Sequence, residues 1–380
     1  MQKSPIKVLQ VIADFKKGGI QADVMYPARI LSKDDVNFDV MLFTDKVEYY
    51  EEEFSQYGNI YRIPIHRKSN KIARALSIFT NYFYVKKEML KFLKTHDKYD
   101  AIHGRHTLYN APCVLAAKKV GIPVRIAHCH QNKPEKVFKD IFYVKLYYWY
   151  CSKVLNRCAT HKFGVTKNAA EYMFGKNKGM VIKNPTVDLK KFDPKKYSQQ
   201  VENRINLILV GSYSSRKNQK FAAEVLNELL KIKQDSKLTY IGYPRSEKED
   251  YLPNLKNYVR DSGMEDKVEF LPQDTNVAEQ LAKSTIMLIP SLQEGLPNVA
   301  LEAQAMGVPC FVSTDVSEDC NCGICTFLPL ENGPKYWAEQ IVKYIDDNGY
   351  GKHYVDMSSW DNKKVSELHL EYWRGKPMKI

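Results

Sequence analysis

The stretch that decides the fold is Thr285-Ile286-Met287-Leu288-Ile289-Pro290-Ser291-Leu292-Gln293-Glu294-Gly295-Leu296-Pro297-Asn298-Val299-Ala300-Leu301-Glu302-Ala303-Gln304-Ala305-Met306-Gly307-Val308-Pro309. Thr285 to Pro290 is an apolar run closed by a proline, the pattern of a short buried strand. Pro297 suits a position near a helix start, and Val299 to Met306 reads as a helix stopped by Gly307 and Pro309. Glu294 then lies in the loop and Glu302 inside the helix, about two turns on. The N–H groups of a helix start have no intrahelical partner and attract anions. Two carboxylates around such a start suit a ligand with hydroxyls at both ends and phosphates between, and a nucleotide-sugar has that layout.

Working outward, Cys310 to Thr314 is the next strand of the same sheet, and Ile205 to Val210 opens the sheet upstream. The loop that follows, Gly211-Ser-Tyr-Ser-Ser-Arg216-Lys217-Asn-Gln219, sets small residues and a basic pair before a helix. That is the grammar of a phosphate cradle. The N-terminal half starts the same way. Lys7 to Ile12 is a strand, Gly18-Gly19 sits in the loop, and a helix begins near Ala22, the first unit of a doubly wound α/β domain. Ile122 to His130 is a later strand of that domain with His128 and His130 at its mouth. Histidines two apart on a strand share a side, so a metal pair, a ligand contact and ordinary hydrogen-bonded histidines are all open readings.

Asn70 to Thr95 reads as a long helix with Ile72, Leu76, Phe79, Phe83, Met89 and Phe92 on its apolar side. Lys71, Arg74, Lys86, Lys87, Lys91 and Lys94 make it basic, fitting either a solvated crossover helix or a contact with anionic lipid. Val137 to Tyr150 interleaves aromatics with lysines, as core packing, base stacking or a membrane interface would each require. The net charge of +13 calls for an acidic partner, and residues 61–100, with ten Lys/Arg against three Asp/Glu, hold more than half of it. At 380 residues and 44% apolar content the chain can build two domains, and no run of eighteen apolar residues marks a transmembrane helix. Without a signal-peptide pattern at the start, and with eight scattered cysteines, a reducing cytoplasm is expected. Cys320, Cys322 and Cys325 are close enough to hold a metal, but no fourth ligand stands near them in sequence.

Pro290-Ser-x-x-Glu294-Gly-Leu-Pro-Asn-Val-x-Leu-Glu302-Ala-x-Ala-x-Gly307-x-Pro309 resembles the donor-site signature of the retaining glycosyltransferases of family 4. The resemblance implies an α/β protein of GT-B fold, with two Rossmann-like domains facing across a cleft and a C-terminal helix crossing back to the first. The expected division is an acceptor-binding domain over 1–185, a donor-binding domain over 186–350 and the returning helix over 351–380. Glu302 would hold the donor's ribose hydroxyls and Glu294 its sugar hydroxyls. Lys217 and the backbone around Gly295, Leu296, Pro297, Asn298 and Val299 would hold the diphosphate. The family places an arginine where Ser212 stands, so Arg216 is expected to substitute for it. Gly18 and Gly19 match the family's glycine pair, and a histidine that contacts the donor sugar aligns with His130 or, one slip away, His128.

The implied reaction transfers a sugar with retention from a nucleoside-diphosphate sugar, a UDP-sugar first, to a lipid-linked or saccharide acceptor. Capsule or exopolysaccharide assembly is the expected setting, with the protein peripheral at the inner face of the membrane. No cofactor, metal or nucleic acid is expected. The rival readings are a nucleotide-sugar 2-epimerase of the same fold and a basic nucleic-acid-binding protein.

Overall fold

Two parallel sheets, each with its own core, carry the strands of the chain in this computed structural model, which describes residues 4–65, 71–105, 109–130, 142–184, 187–198, 203–244 and 250–378, with 71–76 as backbone only. His106, Pro185 and residues 137–141 of the aromatic run lie outside the described residues.

The first sheet is built from β1 (Ile6–Ile12), β2 (Val36–Leu42), β3 (Gly58–Arg62), β4 (Ala101–Gly104), β5 (Val124–Cys129), β6 (His161–Gly164) and β7 (Met180–Val181). The strands run in the order β3-β2-β1-β4-β5-β6-β7, every pairing parallel. Runs such as Val8 to Ile12 are apolar at nearly every position because helices cover both sides of such a sheet. The helices of this unit are α1 (Gly19–Ile30), α2 (Glu51–Phe54), α3 (Lys71–Thr95), α4 (Asn110–Val120), α5 (Phe142–Cys158) and α6 (Lys167–Phe174).

In α3 the inward face is Ile78, Tyr82, Val85, Met89 and Leu93, whereas Phe83, expected on the apolar side, is 61% exposed. Tyr82 takes the inward position because it meets Tyr147 and Tyr150 of α5, at ring separations of 6.1 and 5.5 Å.

The second sheet is β8 (Asn206–Val210), β9 (Lys237–Gly242), β10 (Val268–Pro272), β11 (Ile286–Ile289), β12 (Cys310–Ser313) and β13 (Cys325–Leu328), in the order β10-β9-β8-β11-β12-β13 and again parallel. Its helices are α7 (Gln219–Leu230), α8 (Tyr251–Asp261), α9 (Val277–Lys283), α10 (Asn298–Ala305) and α11 (Gly333–Asn348). The last helix, α12 (Asn362–Trp373), returns to the first sheet, where Leu370, Tyr372 and Trp373 join its core.

Contacts along the chain divide it into residues 1–186 with 360–380, and residues 187–359. The segment after α11 stays with the second unit. His353 N–H donates to Gly307 O at 2.8 Å, and Lys352 Nζ donates to the carbonyls of Leu281 and Ser284. Gly307 has a φ of +70°, and a Cβ there would come within 2.9 Å of the Tyr354 ring, so α10 can end in this way only at glycine.

In each sheet the strand order reverses once, at β1/β4 and at β8/β11. Open α/β sheets bind ligands outside the carboxyl ends of their strands at such a point.

Candidate functional site

At the reversal of the second sheet, two loops lie side by side. After β8 the backbone turns at Gly211, whose φ of +155° favours glycine and whose missing side chain leaves room for Lys217, with Cε 3.3 Å from where a Cβ would be. The loop ends at Asn218 in the left-handed region, φ +56°, and α7 begins. After β11, Ser291 and Glu294 are buried. Leu292 N–H donates to Arg216 O at 2.9 Å, which ties the second loop to the first.

Lys217 Nζ and Glu294 Oε1 then meet at 2.6 Å, with side chains 15% and 10% exposed. Burial pushes the Glu294 carboxyl up, but the charges of Lys217 and Arg216, with hydrogen bonds from Lys217 and Ser291, outweigh it and hold the carboxyl below its ordinary value. Glu294 is therefore a fixed negative charge at neutral pH. Pro297 caps α10 with extended backbone and no side-chain bond, so the cap's side chain takes up none of the N–H groups of the helix start, the kind of group that attracts anions. Glu302 sits on this helix, half-buried. Burial raises its carboxyl to about 7, and Lys191 offsets only part of that rise. Gln304, one turn further along the chain from Ala300, donates to Ala300 O and Cys320 O at 2.9 and 2.8 Å and accepts from Cys322 N–H at 2.7 Å. It anchors the cysteine loop to α10. Cys310, absent from the cysteine reading, joins that loop because it pairs in register with Cys325 across β12 and β13. Among the described residues no group of three or more His, Cys, Asp or Glu is arranged to hold a metal ion.

The first sheet places Gly18 and Gly19 at the start of α1, where Gly18 O accepts from Ala22 N–H at 2.9 Å. His128 and His130 stand at the end of β5, ring centroids 4.4 Å apart. The sequence reading missed what surrounds them. Trp373 Nε1 donates to His103 Nδ1 at 3.1 Å, so the His103 hydrogen is on Nε2, which lies 3.2 Å from His128 Nδ1. Arg105 adds contacts to the same two acceptor nitrogens at 3.4 and 3.5 Å and holds Gln10 Oε1 at 3.3 Å. His128 is thereby fixed as a structural member of the chain, with its hydrogen on Nε2.

His130 is different. Its Nδ1 is 3.7 Å from Asp23 Oδ2, beyond hydrogen-bond length, and its Nε2 has no partner among the described residues. Gln10 Nε2, both Asp23 oxygens, His128 Nε2 and His369 Nδ1 are likewise buried without a partner among the described residues. Burial drives the Asp23 carboxyl well up against the pull of Arg105. Burial, with Arg105 and neighbouring histidines adding to it, drives His103, His128 and His130 well down. His369 falls to about 3 and Arg105 to about 10, again mainly through burial. Unmet polar groups in such a place are costly until water or a polar ligand reaches them. The signal in the sequence was Asp23, a carboxylate within the apolar run of α1, but the other members of the cluster come from four other segments.

Residues 204–347 match the family described as Glycosyl transferases group 1. The chain is 24% identical over 401 residues to the capsular polysaccharide biosynthesis glycosyltransferase CapH of Staphylococcus aureus, an alignment covering 98% of this chain and all of that one. It is 26% identical over 260 residues to the UDP-Gal:alpha-D-GlcNAc-diphosphoundecaprenol alpha-1,3-galactosyltransferase of Escherichia coli, covering 64% of this chain and 63% of that one. Among solved structures, HepE of Anabaena in complex with UDP is similar with a TM-score of 0.70 at 15% identity, over 97% of each chain. The fold shared is GT-B.

Proposed function

Because the chain is a glycosyltransferase carrying a Glycosyl transferases group 1 domain over residues 204–347, we propose that it moves a sugar from a UDP-sugar to a lipid-linked saccharide in the assembly of a bacterial polysaccharide. The observation that carries this reading is the buried Lys217–Glu294 pair at 2.6 Å beside the start of α10. It puts a fixed cation, a fixed anion and helix N–H groups within one pair of loops, as a diphosphate bearing a polyhydroxyl group requires.

In this reading Lys217, Arg216 and the backbone from Gly295 to Val299 hold the diphosphate. Glu294 accepts from sugar hydroxyls, and Glu302 accepts from the ribose hydroxyls. As the bond from phosphate to the anomeric carbon lengthens, negative charge grows on the leaving oxygen. Lys217 and the helix start, fixed before the reaction, stabilise that charge more than they stabilise the ground state. The anomeric configuration is retained, with the acceptor attacking on the face the diphosphate leaves. Of the two histidines aligned with the family's sugar-contacting one, His130 suits that role better, since His128 is committed to His103 and Arg105.

The relatives support the two ends of the reaction. HepE is described in complex with UDP, and the Escherichia coli enzyme is named for a diphosphoundecaprenol-linked acceptor. The protein would therefore work at a membrane surface; among the described residues no helix is long and apolar enough to span a bilayer.

Calorimetry against UDP, GDP and ADP, followed by a screen of UDP-sugars with a polyprenyl-diphosphate-linked saccharide, tests the proposal. UDP binding and acceptor-dependent release of UDP are expected. Turnover of donor to an epimer without acceptor would replace the reading by an isomerase.

A further inference from the structure

The first unit carries apolar side chains on the solvent side of two neighbouring helices. α5 has two stripes. Val144, Tyr147, Cys151, Leu155 and Cys158 face the core, while Phe142, Leu146, Trp149 and Tyr150 are 78%, 50%, 58% and 43% exposed. On α3, Phe83 and Tyr84 are 61% and 41% exposed. The outward stripes join through rings, Phe83 to Tyr82 at 5.4 Å and Tyr82 to Tyr150 at 5.5 Å. Exposed apolar residues are ordinary when scattered, but a joined group on adjacent helices marks a surface that meets something.

Its surroundings say what. α3 and α5 together carry nine Lys/Arg and one carboxylate, Glu88. Lys86 lies 5.6 Å from the centre of the Phe83 ring and Lys153 lies 5.6 Å from that of Trp149. We propose that this α3–α5 face docks onto an anionic membrane, with Phe142, Leu146, Trp149 and Phe83 seated among the headgroups and the lysines against lipid phosphates. Trp and Tyr rings beside lysines are the residue mix of a membrane interface. A second copy of the chain would bring the same positive charge and be repelled. Nucleic acid would satisfy the lysines but leave Phe142 and Leu146 without a counterpart. The inference deepens the lipid-linked reading above, on which it rests for its purpose, by naming the surface through which that acceptor is approached.

The contact is apolar as well as electrostatic. High salt should therefore weaken vesicle binding without abolishing it, unlike binding by lysines alone. Of the four tryptophans, Trp149 is 58% exposed while Trp337, Trp360 and Trp373 are at most 7% exposed, so Trp149 reports the contact by itself. The full chain is mixed with phosphatidylglycerol–phosphatidylcholine vesicles, with and without brominated acyl chains, and with phosphatidylcholine alone.

Brominated anionic vesicles are expected to quench the tryptophan emission, and Trp149→Phe to remove most of the quenching while vesicles still sediment the protein. The triple variant Phe142→Ser, Leu146→Ser, Trp149→Ser should lower partitioning at least tenfold, as should Lys87→Glu with Lys91→Glu, Lys145→Glu and Lys153→Glu. Both sets should keep the parent's thermal melt and UDP affinity, since these side chains point to solvent. The inference is overturned if the parent ignores anionic vesicles, or if it sediments without quenching. It is also overturned if the folded triple variant binds as the parent does, or if the triple change instead abolishes a dimer or RNA binding. Absent UDP binding alongside intact quenching would sink the functional reading and leave this one standing.

Discussion

The two sites answer burial in opposite ways. In the second unit Glu294 is buried beside Lys217, and the opposite charge keeps it ionised. In the first unit Asp23, His103, His128, His130 and His369 are buried around Arg105, and most are pushed to their neutral forms. Burial penalises whichever form is charged, so its outcome depends on whether a compensating charge was buried with it. One site thus holds charge, which in the proposed reading would serve a diphosphate leaving group. The other holds uncharged hydrogen-bonding groups, which in the proposed reading would meet sugar hydroxyls.

Acid gives the largest separation of the two. A histidine whose folded pKa lies below its unfolded value near 6.5 contributes stability above that value and loses it as pH falls toward the folded pKa. His103, His128, His130, His161 and His369 are all lowered, and all belong to the first unit. Each would cost up to about 1.4 kcal/mol per pH unit below 6.5, enough together to rival the stability of a whole domain. Asp23 and Glu48 work the other way, since a raised carboxyl pKa gains stability as pH falls, but they are two groups against five. The first unit should therefore unfold between pH 6 and about 5 while the second persists. Proteolysis at stepped pH reads this directly, with cleavage expected in 1–186 and the fragment 187–359 surviving. Loss of both units together would break the comparison.

Removing the cation from the charged site comes next. Lys217→Met leaves Glu294 buried beside only Arg216, and losing one partner of a buried pair costs about 3–5 kcal/mol. Adding Glu294→Gln should restore most of that stability in a melt while leaving UDP binding absent. If the double variant binds UDP, the pair is scaffolding and the donor lies elsewhere.

These contrasts also explain what could be read in advance. The stretch from Thr285 to Pro309 holds a strand, a turn, a helix start and both glutamates within one local segment, so spacing was enough. Lys217 was legible too, because a loop between a strand and a helix has few places for it. The histidine cluster was not, since it joins β1, α1, β4, β5 and α12, the last more than 230 residues after His130. Nor was the exposure of Phe83. α3 has aromatics on both sides, and only its contact with α5 decides that Tyr82 goes inward. Cys310 joined the cysteine loop through strand register, which spacing along the chain cannot express.

Glu302 sharpens the charged site at a smaller scale. Glu302→Ala should weaken UDP binding by about 1–3 kcal/mol, the range for a hydrogen bond to a charged group. With its carboxyl raised to about 7, part of the free protein is protonated at neutral pH. Binding that uses the carboxylate must then release a proton, so UDP affinity should rise as pH goes from 6 to 8. Calorimetry in two buffers of different ionisation heat counts that proton. No proton release, or an affinity flat in pH, would show that Glu302 does not accept from the nucleotide.

Arg216 should give the smallest effect. Its side chain is exposed, and its charge already acts on Glu294 beside Lys217. An exposed charge is screened by water and salt, so Arg216→Ala should cost about 1 kcal/mol in UDP binding and much less in binding of UMP. Its carbonyl, which holds Leu292 N–H, is untouched by the substitution, so the two loops should stay joined and the melt unchanged. Ser212 stands at the other side of the same loop, where a longer basic side chain could reach the diphosphate instead. Ser212→Arg in the Arg216→Ala background should therefore return the UDP affinity and its preference over UMP. If Arg216→Ala alone binds UDP as tightly as the parent, Lys217 and the start of α10 carry the diphosphate between them. The charged site would then rest on one cation where two are proposed.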